Sequence, residues 1–236
     1  WLRRNAISPD ASQIVFTYKG NLYIVEAEGG KARQLTTNAA YDSNPMWTPD
    51  GKEIVFSSYR EKSKDIYKVS AEGGAPRRLT THPGNETPMA VLKDGSVLFS
   101  AAIQQDAQYG DFPKGSHIYM TGPEGARPEL VTCLQISHLS VRNDNAVVYE
   151  DYKGYEDELR KHHTSSVTRD IWMYVPSEND QEGFSINGNG TFTKLTTFKG
   201  EDRNPVFCEN GSSFYYLSEQ DGTLNIYHSG PVGEII

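Results

Sequence analysis

The chain has 236 residues, room for one sizeable hydrophobic core, and its 23 Lys and Arg against 31 Asp and Glu give a formal net charge of −8. No basic cluster stands out, which argues against nucleic acid and anionic membrane as partners. No apolar run reaches the roughly 20 residues of a membrane span, so membrane insertion is not expected.

Taken in chain order, the predicted elements form a repeat. The first copy reads Ser8-Pro9-Asp10, Ile14-Val15-Phe16, Asn21-Leu22-Tyr23, Glu28-Gly29-Gly30 and Gln34-Leu35-Thr36-Thr37. The second reads Thr48-Pro49-Asp50-Gly51, Ile54-Val55-Phe56, Asp65-Ile66-Tyr67, Glu72-Gly73-Gly74 and Arg78-Leu79-Thr80-Thr81. The third keeps Asp94-Gly95, Val97-Leu98-Phe99, His117-Ile118-Tyr119 and Glu124-Gly125. The fourth keeps Asn143-Asp144, Val147-Val148-Tyr149, Asp170-Ile171-Trp172 and Lys194-Leu195-Thr196-Thr197, and the fifth Asn210-Gly211, Phe214-Tyr215-Tyr216 and Asn225-Ile226-Tyr227. With the turn Asp or Asn at 10, 50, 94, 143 and 210, the intervals are 40, 44, 49 and 67, so the later copies carry insertions.

A β-rich repeat with a period in the forties and no helical stretch predicts an all-β fold, a β-propeller of four-stranded antiparallel blades. The Pro-Asp-Gly turn joins a blade's first strand to its second: Pro presets φ, Asp bonds the backbone ahead, and Gly takes positive φ. The apolar Ile-Val-Phe run suits a strand covered on both faces. Blades are expected near 1–37, 38–81, 82–132, 133–197 and 198–236, all in one domain, with inner strands near Pro45–Trp47 and Pro205–Cys208. The fifth copy stops early, which predicts that the native polypeptide continues into a sixth blade closing the propeller. The chain opens at Trp1 with no signal-peptide pattern and reads as a processed or excised piece. A whole repeat separates Cys133 from Cys208, so both are expected free and mostly buried.

Departures from the repeat are where function is expected. The third blade inserts 104–115, and the fourth inserts 153–169 between its second and third strands. Within the latter, Glu156, Asp157, Arg160, His162, His163 and Arg169 are expected to form a charged, hydrogen-bonded lobe that braces a neighbouring domain or lines a route to the channel. The histidines are adjacent in sequence and lack metal-ligand spacing, so no metal or other cofactor is expected. Ser165 or Ser166 with His163 and Asp170 lacks the Gly-x-Ser-x-Gly elbow of a hydrolase, so no catalytic residue is assigned. The stretch 176–190 reads as a mobile hairpin tip. Three equivalent loops carry Asp42, Glu86 and Asp202, the last beside Arg203, and are expected to surround one mouth of a central channel. There the acids would either attract a cation or peptide amino group or cap their own strands.

The Ser-Pro-Asp-Gly, Asp-Ile-Tyr, Gly-Gly, Leu-Thr phrases resemble the repeats of TolB-type and tricorn-type propellers. The segment from Lys153-Gly154-Tyr155 to Asp170-Ile171-Trp172, with the opening Trp1-Leu2-Arg3, is similar to the N-terminal propeller of bacterial tricorn-protease homologues. That resemblance implies a propeller that binds, filters or gates peptides or unfolded polypeptide for a serine-peptidase core elsewhere in the same polypeptide. It also implies further partner domains, such as a PDZ module, and a periplasmic or exported location. The alternative is a TolB-like scaffold that docks a protein partner and serves no protease.

Overall fold

The computed structural model describes residues 2–103, 116–154, 166–177, 184–208 and 211–230. The first sheet holds β1 (Arg3–Ile7), β2 (Gln13–Tyr18), β3 (Asn21–Glu26) and β4 (Arg33–Gln34), in that order. The second holds β5 (Asp42–Trp47), β6 (Glu53–Ser58), β7 (Asp65–Ser70) and β8 (Arg77–Arg78). The third holds β9 (Glu86–Val91), β10 (Val97–Ala101), β11 (His117–Thr121) and β12 (Glu129–Thr132). The fourth holds β13 (Ile136–Val141), β14 (Val147–Asp151), β15 (Ile171–Val175) and β16 (Thr191–Lys194). The fifth has three strands, β17 (Asp202–Phe207), β18 (Phe214–Ser218) and β19 (Asn225–His228), and matches the incomplete fifth copy. These are the antiparallel meander blades of a β-propeller, and no helix occurs among the described residues.

The chain divides into two compact units, Trp1–Leu130 and Val131–Ile236. In the first unit, Val15, Leu22, Ile24, Trp47, Ile54 and Phe56 form one core between the first two sheets. Val55, Ile66, Leu79, Val97, Phe99 and Tyr119 form another between the second and third. In the second unit Val148 and Ile171 of the fourth sheet meet Phe214 of the fifth. Strand β6 is buried on both faces, as its apolar run predicts, whereas β2 alternates between buried and half-buried residues.

Each repeated phrase has a defined physical task. Asp50 accepts the Thr48 hydroxyl at 2.7 Å and the Lys52 N–H at 3.1 Å, and Gly51 sits at φ +69°. Asp10 makes the same turn with Ser8 and Ser12, and the Ser8 hydroxyl is the main reason its carboxyl is lowered to about 2. The aromatic that ends the apolar run stands directly opposite the aromatic of the third strand in all five sheets. The pairs are Phe16 with Tyr23, Phe56 with Tyr67, Phe99 with Tyr119, Tyr149 with Trp172, and Tyr216 with Tyr227. Such cross-strand pairs set register as well as filling space.

Two expectations need correction. Both cysteines are free, but Cys133 is exposed and Cys208 only half-buried. Each follows the last residue of a strand, β12 or β17, where the chain leaves the sheet. In the stretch read as a mobile tip, Phe184 and Ile186 are buried, at 8% and 3% exposure, while 178–183 lie outside the described residues.

Candidate functional site

The innermost strands share a deformation. In all five sheets the register between the first and second strands slips: near the start of the inner strand in four, between Arg3 and Asn5, Ser43 and Met46, Ile136 and His138, and Arg203 and Val206, and further along in the third sheet, between Pro88 and Ala90. Arg4, Asn44 and Asn204 take positive φ of 51°, 54° and 51° in these bulges. Bulges re-aim side chains, and they fall where the acidic loops were expected to gather.

The structure places those acids beneath the surface: Asp42 and Glu86 are 0% exposed and Asp202 is 1% exposed. In the first unit Asp42 pairs with Arg60 at 2.8 Å, and the Arg60 guanidinium lies over Phe56 and Tyr67. Glu86 accepts the Thr80 hydroxyl, while its Oε1 has no hydrogen-bond partner among the described residues. Burial pushes the Glu86 carboxyl up to about 7, with Asp65 adding to the rise and Thr80 and Arg78 opposing it. It therefore titrates near neutrality, keeping its proton through the mildly acidic range where an ordinary carboxyl has lost it.

Thr80 also explains the Leu-Thr-Thr phrase. The hydroxyl oxygens of Thr36, Thr80 and Thr196 each accept the backbone N–H that opens a third strand's interior, from Leu22, Ile66 and Ile171, at 3.0 Å in every case. Each Thr stands six residues before an acid of the next blade: Asp42, Glu86 or Asp202. A second coupling lies at the head of the third strand. Asp65 pairs with Arg78 at 2.9 Å and Asp170 with Lys194 at 2.9 Å, whereas the equivalent first-blade residues are the neutral Asn21 and Gln34. That matched change was visible between the copies, and the reading by motif passed over it.

In the second unit Arg169 is half-buried and bonds inward. Its guanidinium reaches Glu150 at 3.3 Å and Glu201 at 3.4 Å, and Arg203 reaches Glu201 at 2.9 Å. Glu150 also accepts the Ser137 hydroxyl at 2.5 Å and the Asn204 N–H at 2.8 Å, which ties the fourth blade to the fifth. Burial raises the Asp202 carboxyl, against the nearby hydroxyls of Ser218 and Thr196. Glu156, Asp157, Arg160, His162 and His163 lie outside the described residues. No group of three or more His, Cys, Asp and Glu suited to a metal ion occurs among the described residues.

A separate feature of the first unit is an open cleft of about 510 Å³ lined by Arg3, Thr17, Lys19, Gly20 and Tyr41. Arg3 stands opposite Thr17 across β1 and β2, and Lys19-Gly20 is the two-residue turn into β3, at φ +50° and +83°. The Asp42 N–H donates to the Gly20 carbonyl at 2.9 Å and holds the turn against the second blade. No motif announces this cleft, because it arises where a strand start, a hairpin turn and a linker converge.

The comparisons with known proteins agree with this architecture. The family described as the tricorn protease N-terminal beta propeller domain matches residues 1–234. Among solved structures, the crystal structure of the tricorn protease superposes with a TM-score of 0.72 at 21% identity, covering 96% of this chain and 21% of that chain. A TolB-type protein from Agrobacterium tumefaciens follows at 0.69 and 16% identity, covering 97% of this chain and 80% of that one. TolB from Acinetobacter baumannii gives 0.66 at 17%, covering 97% and 52%. No curated protein matches the chain by sequence. With the family matched from end to end and the same fold recovered in structure, the chain belongs to the tricorn protease N-terminal β-propeller domains.

Proposed function

We propose that this chain is a non-catalytic propeller module that receives and guides peptides for a serine-peptidase core carried by the same polypeptide. The observation that carries the reading is the family match over 1–234, joined to a tricorn protease of which this chain spans only about a fifth. The site geometry supports the accessory role: the acids are buried inside the blades, Asp42 and Glu201 paired with arginines and Glu86 bonded to Thr80. The acid loops, Arg169 and Arg203 then serve to hold blades together, and an exported location belongs to the same reading.

The test uses the full-length polypeptide and the isolated chain side by side. The isolated chain should bind labelled peptides and hydrolyse none, and the parent should lose peptide turnover when peptide binding by the propeller is abolished. Hydrolysis by the isolated chain that Ser165→Ala, Ser166→Ala or His163→Ala removes would overturn the reading. A second reading, a TolB-like scaffold for a protein partner, is favoured by the 80% coverage of the Agrobacterium tumefaciens protein. The polypeptide sequence beyond Ile236 separates the two, since only the first requires a peptidase core there.

A further inference from the structure

We propose that the cleft formed by Arg3, Thr17, Lys19, Gly20 and Tyr41 binds a carboxylate carried by a peptide. The proposal deepens the peptide-guiding reading and rests on it. Three independent features point to an anionic ligand.

First, the charges at this end of the unit are uncompensated. Arg3, Arg4, Lys19 and Lys64 have no ion-pair partner among the described residues, although the chain as a whole carries −8. The acids nearest in the fold are already engaged, Asp42 with Arg60 and Asp65 with Arg78, and Glu86 is bonded to Thr80. Lys64 donates to the Thr87 hydroxyl at 2.6 Å, and Arg4 and Lys64 do not line the cleft, so Arg3 and Lys19 are the cations it presents to an anion.

Second, the cleft wall contains an idle donor. Thr17 is 2% exposed and its Oγ1 has no hydrogen-bond partner among the described residues. A buried hydroxyl is normally paired, and a carboxylate oxygen in the cleft supplies the missing acceptor. The Tyr41 ring, 44% exposed, adds a phenolic donor and an apolar face for the neighbouring side chain.

Third, the backbone places both cations at the cleft. Arg3 stands opposite Thr17 in the ladder, and Lys19 lies in the positive-φ turn with its ammonium 5.4 Å from the centre of the Tyr18 ring. A cavity of this size admits one or two residues of a peptide.

The experiment measures binding of fluorescein-labelled peptides to the purified chain by anisotropy. The set comprises an Asp- and Glu-bearing decapeptide, its Asn and Gln counterpart, and each with a free or an amidated C-terminus; inorganic phosphate is the competitor. The Asp and Glu peptide should bind more tightly than its neutral counterpart, and binding should weaken with added salt. Arg3→Ala with Lys19→Ala should weaken it at least about tenfold, as loss of charge-assisted bonds requires, while Arg127→Ala leaves it unchanged. Thr17→Val, which keeps shape and removes the donor, should weaken binding by about threefold. Loss on amidation assigns the carboxylate to the peptide's C-terminus; indifference to amidation assigns it to the side chains. Equal binding of acidic and neutral peptides, indifference to the Arg3 and Lys19 changes, or displacement by phosphate at equal concentration overturns the proposal. If peptides bind but the cleft variants do not matter, the cleft proposal fails and the peptide-guiding reading stands; if no peptide binds, both fail.

Discussion

The buried Glu86 makes a quantitative prediction about stability and pH. Its carboxyl is 0% exposed; it accepts the Thr80 hydroxyl, while its Oε1 has no hydrogen-bond partner among the described residues. The folded pKa lies at about 7, against an ordinary value of 4.5 that the unfolded chain should show. Between those values the native state holds a proton that the unfolded state has released, so stability falls as pH rises. The contribution is complete below the unfolded pKa, declines through the interval, and is flat above about 7. A shift of that size corresponds to about 3 kcal/mol between the two ends, since each pKa unit is worth about 1.4 kcal/mol. Glu86→Gln keeps the side-chain shape and cannot ionise. Urea unfolding of both proteins at pH 4.5, 6 and 8 should therefore show wild type losing stability across the series, with the variant losing about 3 kcal/mol less. Asp202 is raised by burial and titrates in the same direction, so the difference between the two proteins is the informative quantity. If Glu86→Gln shows the wild-type slope, the carboxyl is ionised in the fold and the argument from burial is wrong.

Three further predictions follow from close contacts. Gly125 sits at φ +82°, and an added Cβ would lie 2.8 Å from the Leu79 carbonyl, so Gly125→Ala should cost about 2–4 kcal/mol by chemical denaturation. Gly74→Ala, at φ +117° with nothing within 4 Å, should cost only the backbone part, about 1–2 kcal/mol. Thr196→Val strands the buried Ile171 N–H and should destabilise by about 1–3 kcal/mol, whereas Thr197→Val, on an exposed neighbour, should be nearly silent. Arg169→Leu leaves Glu150 buried without a cation and removes one from Glu201; a loss of about 3–5 kcal/mol in thermal or urea unfolding is expected.

Much of this architecture was legible because the repeat encodes local chemistry. Asp50 and Gly51 specify a turn by bonds within five residues, and Phe56 opposite Tyr67 follows once the turn fixes register. The roles of Asp42, Glu86 and Asp202 were less legible, since a carboxylate in a polar loop looks alike whether it meets solvent or an arginine 18 residues away. What decides between them is long-range packing, and the adjoining bulges at Asn44 and Asn204 leave only the Asn-Pro at 44–45 and 204–205 as a sequence trace. Arg169, at the edge of the inserted segment, reaches Glu150 and Glu201, which no spacing rule connects to it.

The same distinction between sum and place governs the charge argument. A formal −8 argued against nucleic acid and anionic membrane as partners, and the loop acids Asp42, Glu86 and Asp202 were the groups that could attract a cation. Yet among the described residues Asp42, Asp65, Glu86, Glu150, Asp170, Glu201 and Asp202 are all buried, against one buried cation, Lys68. Much of the excess negative charge is therefore interior, where arginines, lysines and hydroxyls engage it, and it says little about what the outer surface attracts. Cations left over at one corner of the first unit, Arg3 and Lys19 beside an idle Thr17 hydroxyl, then outweigh the net charge as a guide to ligand chemistry. Fields at a cleft are set by the few groups within a Debye length of about 10 Å, not by the total for the chain.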